Sequence, residues 1–483
     1  MAMDIIMETL VIEPGSEYVK WSKTDENVML DLRHVQKSSI RKLVIGEGIV
    51  QIGAMDARKG IFYRCAALRE VVFPSSLQSI GSCSFFECTK LTSIVIPEGC
   101  KEIGDSAFKG CWSLKSIDIS SSIRTIGNEA FRNCIGLTKV TFQEGCTSIG
   151  DYAFDSCISL LDVKLPDTLQ EIGVRAFCSC VRLTVVNIPE GIKKIPSFLF
   201  QGCFGLICAT IPDSVTEIGM GAFENCSRLV FIEIPEGVMK ICRSTFSGCY
   251  ELGKVILPEG LKIIEEDAFE MCYELSEINI PNGLEKIGKS AFCKCRKLVS
   301  VSLPNSLVEI GEFAFEYCIG LASINIPASI ARLEDGLFMY CQFLQSFVIP
   351  DSVTEIGDTA FIGCEKMTDI IISDKVAKIG YAAFSECGLT SVVVPSNVKE
   401  IGSEAFRHCR MLKFLVLSQG IRTIGPLAFG GCEALRNITI PSTVEVIGKE
   451  AFADCGSLEI AMVHHDTQLE ENVFPPACKV IKY

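Results

Sequence analysis

Hydrophobic positions along this chain recur with a period of 23 residues. One period reads Phe108-x-x-Cys111-x-x-Leu114-x-x-Ile117-x-Ile119, then Ile123-x-x-Ile126-Gly127-x-x-Ala130-Phe131. Phe-x-x-Cys occurs eighteen times, from Phe62 to Phe452. The spacing is 23 residues fourteen times running between Phe62 and Phe384, then 22 once and 23 twice. Strict self-similarity at this period predicts a solenoid, in which each coil touches only its neighbours. Leu-x-x-Ile-x-Ile ends in apolar–polar alternation, the mark of a short strand with one buried face. Pro usually follows (Pro97, Pro166, Pro189, Pro212, Pro235), then Glu-Gly, Asp-Ser or Asn-Ser, so the strand ends in a turn. A second short extended piece, such as Val215-Thr-Glu-Ile218, brings two more apolar residues inward.

Gly and x-x-Ala-Phe-x-x-Cys complete the coil, and the apolar spacing there predicts a single helical turn. The Gly is read as a helix start rather than a positive-φ position, because Pro196, Cys242, Glu265 and Glu334 replace it in their coils. Acidic or Asn residues follow it at Asp105, Asn128, Asp151, Glu312 and Asp358, as a helix N-terminus favours. Pro426 follows Gly425, where a first helical residue would stand. One coil offers about eight apolar side chains, worth ~1.5–3 kcal/mol each for the larger ones. Ordering its backbone costs ~1–2 kcal/mol per residue, so a lone coil cannot fold and stability must come from stacking.

The ends depart from the pattern. Residues 1–39 alternate over Ile5 to Ile12 and Val28 to Val35 and are assigned to a β-rich N-terminal cap. The register starts at Ile40, with an enlarged loop from Gly53 to Gly60, and residues 40–458 form the solenoid. Residues 459–483 are a degenerate coil and cap: Val473-Phe474-Pro475-Pro476 breaks the repeat, and Lys479 to Tyr483 reads as a last strand whose lysines blunt an open edge.

Net charge is −14, with Lys and Arg scattered rather than striped, which argues against a nucleic-acid partner. No apolar run approaches the ~20 residues of a membrane-spanning helix, and Met1 to Leu10 lacks the features of a signal peptide. Of 26 cysteines, eighteen are the Cys of Phe-x-x-Cys. Equivalent side chains of stacked coils point the same way, a poor geometry for bridging, so a column of buried thiols is expected. Cys178-x-Cys180 and Cys293-x-Cys295 lack the spacing and the histidines of a zinc site. No metal and no cofactor are assigned.

Leu-x-x-Ile-x-Ile-Pro joined to Ile-Gly-x-x-Ala-Phe-x-x-Cys resembles the BspA-like class of leucine-rich repeats over about residues 40–480. The resemblance implies a leucine-rich repeat solenoid of α/β to mainly β type. It would be a right-handed horseshoe or gently curved rod of about 19 coils, with a parallel sheet on one side. At ~4.8 Å per strand that sheet would be about 90 Å long. The resemblance also implies surface or secreted adhesion and interaction proteins without a catalytic motif. With no signal peptide visible the chain as given reads as cytoplasmic. Removal of a signal would instead place it at the surface or outside.

Only four histidines occur, His34, His408, His464 and His465. His464-His465-Asp466 has metal-ligand types but falls in the degenerate last turn and reads as a solvated loop. The repeat region lacks insertions that would build an active-site loop, so no enzyme is expected. Binding is the better prospect. The residues before and between the two Ile of Leu-x-x-Ile-x-Ile face outward on the sheet. Through the centre they are small and polar: Asn279, Ser300, Ser302, Ser323, Asn325 and Ser346. The between-Ile column then becomes Val348, Ile371, Val393 and Val416, with Phe414 beside it. A second apolar group is Val185, Cys208, Phe231 and Ile256. A contiguous exposed apolar strip marks a partner site, whereas the blander reading is that β-branched ladders simply suit parallel strands. Two functions follow: a scaffold or adhesin binding a protein or glycan over the sheet, or a passive rod without a ligand. A monomer is expected, with weak self-association as the variant.

Overall fold

The computed structural model describes residues 9–11, 18–22, 40–56 and 59–483. The alternation expected over Val28 to Val35 lies outside them, and of the Ile5 to Ile12 stretch only Thr9–Val11 is described, as a strand antiparallel to Tyr18–Ser22. The chain is a parallel-strand solenoid of about 18 turns. It divides into two compact units, residues 1–238 with 248–250, and residues 239–247 with 251–483.

In the first unit, Tyr18–Ser22 pairs in parallel with Lys42–Val44, which pairs with Glu70–Val72. The enlarged loop before Phe62 holds a short hairpin, Ala54–Asp56 with Lys59–Gly60. Each later coil supplies one strand to each of two parallel ladders. Ser116–Ile119 pairs with Lys139–Phe142, and Glu102–Ile103 pairs with Thr125–Ile126. The second unit repeats the scheme: Ser391–Val394 pairs with Phe414–Leu417, and Glu400–Ile401 with Thr423–Ile424. It closes with Lys479–Lys482 beside Ile460–Val463.

Side chains sort as the periodicity requires. Leu114, Ile117, Ile119, Ile123 and Ile126 point inward and are buried, while Ser116 and Asp118 are exposed. Pro ends the first strand and its carbonyl accepts the amide three residues on, as in Cys100 N–H to Pro97 O at 3.2 Å. Gly99 at φ +102° supplies the third position of that turn. Two columns fill the centre. Phenylalanine rings stack coil on coil with centroids 5.1–5.4 Å apart across most steps, as from Phe85 to Phe154 and from Phe361 to Phe452. Phe474 adds one more ring 5.3 Å from Phe452, so this column continues into the segment that breaks the repeat. Beside the rings, each repeat thiol donates to the Phe carbonyl of the previous coil at 3.1–3.4 Å, from Cys88 to Cys455. No disulfide joins any of the 26 cysteines.

The helical turn is not formed; among the described residues there is no helix. Ala-Phe-x-x-Cys instead lies on stacked tight turns. Alternate amides bond within the coil and into the next: Ala107 N–H to Gly104 O and Cys111 N–H to Phe108 O, but Phe108 N–H to Ala130 O and Gly110 N–H to Arg132 O. A helix would spend every amide within its own segment, whereas here half of them join the coils. The geometry needs two left-handed residues per coil, such as Ser106 and Gly110 or Glu129 and Asn133, with φ from 54° to 74°.

The Gly before this turn is correspondingly not a helix start. It has no positive φ, as expected, but a Cβ on Gly127 would lie 2.6 Å from the Asp105 amide nitrogen and 2.7 Å from the Gly104 carbonyl carbon. Close approach of the neighbouring coil selects it. The acidic and Asn residues after it do not cap helices either. Asp105, Asn128 and Asp151 each accept, at 2.7 Å, the amide N–H of the next coil's counterpart.

Candidate binding face

The strands aim every other side chain away from the core, and this fixes the candidate site. Val348, Ile371, Val393 and Val416 are 63, 63, 58 and 53% exposed, and Phe414 is 70% exposed. Val348 stands opposite Ile371, Val393 opposite Val416, and Ser391 opposite Phe414. Val348, Val393 and Val416 are each flanked along the chain by buried residues, such as Val392 and Val394 around Val393, and Ile371 lies between the half-buried Ile370 and the buried Ile372. The column is therefore a solvent-facing apolar strip carried by two paired sets of strands, Ser346–Val348 with Asp369–Ile371 and Ser391–Val394 with Phe414–Leu417. In the second group, Val185 (41%) and Phe231 (38%) are exposed in the first unit, with Cys208 paired to Val185 and Phe231. Ile256 (38%) is exposed in the second.

Reading by strand alternation missed one further column. The residue after the repeat Cys is large, apolar and exposed at Trp112, Ile135, Ile158 and Phe204 in the first unit. Its signal was available, since these residues occupy one slot of the period.

The electrostatics are those of a solvated surface. Second-strand columns carry opposite charges in facing coils, as in Lys194–Glu217, Lys286–Glu309 and Lys378–Glu355, all at 2.7 Å and open to solvent on at least one partner. Each such pair contributes ~0.2–1 kcal/mol. Burial leaves several thiols unsuited to nucleophilic chemistry: it pushes the repeat thiol Cys134 up to about 12, and Cys100 and Cys146, outside the repeat motif, up to about 11. His464, His465 and Asp466 bring ligand-type atoms within 4.8 Å of one another. They lie on the last turn, where the His465 amide donates to Tyr483 O at 3.0 Å and the Asp466 amide approaches His464 Nδ1 at 3.4 Å. No helix among the described residues is long and apolar enough to cross a membrane.

The BspA type leucine rich repeat region, in its six-copy form, matches residues 55–167, 147–275, 216–345, 262–387 and 332–459. The chain belongs to the BspA-type leucine-rich repeat family. Solved structures similar to this BspA-type chain include a leucine-rich cell surface protein of Faecalibacterium prausnitzii A2-165. That protein is 30% identical over 66% of this chain and 83% of its own, with a TM-score of 0.45. A leucine-rich repeat protein of Bacteroides ovatus is 21% identical over 99% of both chains, with a TM-score of 0.40. A leucine-rich repeat protein of T. pallidum is 30% identical over 41% of this chain and 77% of its own, with a TM-score of 0.29. Comparison with curated proteins found no match.

Proposed function

We propose that this chain is a non-catalytic scaffold that binds a protein partner over the outer face of its parallel sheet, an adhesin being one form of such a scaffold. The observation that carries the reading is the strip of Val348, Ile371, Val393 and Val416, apolar and more than half exposed in four successive coils. β-Branched residues suit a strand whichever way they face. Yet the same column is Asn279, Ser302 and Asn325 in the three preceding coils, so strand formation alone does not require them. Phe414, the most exposed of the group, extends the strip sideways. Val185, Phe231 and Ile256 are secondary contact points.

Replacing Ile371 and Val393 together by Ser removes apolar contact area without touching the core. Partner capture is expected to be lost while the circular-dichroism melt stays nearly unchanged. Unaltered capture would refute the assignment. Concentration-dependent self-assembly with no partner at all would favour a passive rod.

A further inference from the structure

In the coils before Val348 the outer column holds Asn279, Ser302 and Asn325, which line an open cleft of about 390 Å³ together with Glu259, Asn282 and Asn305. The first strands are short here. Glu277–Ile278, Ser300–Val301 and Ser323–Ile324 have two residues each, where Lys254–Ile256 and Ser346–Val348 on either side have three. Where the ladder is complete, the next amide donates to the facing carbonyl, as Ile349 N–H does to Ile371 O at 2.9 Å. In the cleft the Leu303 amide donates to Asn325 Oδ1 at 2.8 Å instead, and Asn325 Nδ2 donates back to Leu303 O at 2.9 Å.

A carboxamide presents an acceptor and two donors in one plane, the complement of a peptide main chain. Asn325 already grips the main chain of Leu303 in that way. Asn279 occupies the same column two coils earlier. It is exposed, and among the described residues its carboxamide has no hydrogen-bond partner.

Building on the sheet-face reading above, we infer that this cleft takes an extended polypeptide segment free of acidic side chains. The Asn279 carboxamide and the Ser302 hydroxyl pair with its main chain, and its apolar side chains continue onto Val348 and Ile371. Ser302 and Val348 are two coils apart, ~9.6 Å at ~4.8 Å per strand, a span covered by about three extended residues. The chain's net charge of −14 disfavours an acidic segment. The lining includes no aromatic ring on which a sugar could stack.

The test selects binders from a phage-displayed library of neutral twelve-residue peptides on the wild-type protein, then measures the strongest on variants. Asn279→Leu combined with Ser302→Val is expected to weaken that peptide about tenfold or more, with the thermal melt unchanged. N-methylating the paired main-chain amide of the peptide is expected to do the same. Recovery of no binder, or full affinity in the double variant, overturns the cleft. A binder that needs Val348 and Ile371 but ignores Asn279 overturns it while leaving the sheet-face reading intact. The converse dependence supports the cleft and removes the strip from the reading. Oligosaccharides retained on a glycan array by the wild type but not by Asn279→Leu, with no peptide binder, would reassign the cleft to a glycan.

Discussion

Phe269→Ala probes whether stability in this molecule is passed from coil to coil. Phe269 is fully buried, and its ring lies 5.4 Å from both Phe246 and Phe292. Truncation removes the transfer term and leaves a cavity, together ~3–5 kcal/mol for a buried Phe. Stacking pairs of this kind add ~0.5–1.5 kcal/mol each beyond area, and two are broken, which places the expected cost near the top of that range. The backbone carbonyl that receives the Cys295 thiol remains, so the thiol column stays intact. In an array held by nearest-neighbour contacts the cost is local. Hydrogen exchange read by mass spectrometry should show protection lost around residues 246–292 and retained in distant coils. An even loss over the whole chain, or a cost below ~1 kcal/mol, would refute the column as a one-dimensional support.

Other predictions follow from the same packing. Burial raises the pKa of Cys100, Cys146 and Cys134 and keeps them protonated in the fold, so their contribution is complete below the unfolded value of 9.0 and is lost as pH rises toward about 11 for Cys100 and Cys146 and about 12 for Cys134. A thiol inside its own window costs ~1.4 kcal/mol per pH unit, so the melting temperature should fall steeply above pH 9, with or without reductant. A flat profile would show that these thiols are not held neutral. Cys208, the one exposed cysteine among the described residues, should react first with iodoacetamide in the native protein; simultaneous labelling of the column would contradict the packing. Gly127→Ala should destabilise by ~1–3 kcal/mol, because the added methyl meets backbone of the preceding coil, and an unchanged melt would show that the coils can separate freely there.

The repeat made most of the fold legible. Strict alternation at Ile117 and Ile119 fixed which face is buried, and the invariant Phe and Cys slots announced two internal columns. The turn was misread because Ala-Phe-x-x-Cys suits a helix and a stack of tight turns equally well. What separates the two is where the amides go, and half of them cross to the next coil. A clue was present in the residue before Cys, often Gly or Asn (Gly110, Asn133, Gly202, Asn225), types that accept positive φ more readily than most. The role of Gly127 was equally hidden, since close approach depends on the neighbouring backbone. Of the candidate face, the outward direction of Val348 to Val416 was readable from period two. The cleft at Asn279 was not, because it depends on Asn325 substituting for a main-chain bond.

The most direct test of the sheet-face reading is site-specific photo-crosslinking in the native organism. A benzoylphenylalanine placed at position 371, on the outer face of the first-strand ladder, is compared with one at position 378, an equally exposed second-strand site. The account predicts a discrete protein adduct from position 371 that is absent from position 378. Identical adducts from both positions, or an adduct from 378 alone, would contradict it.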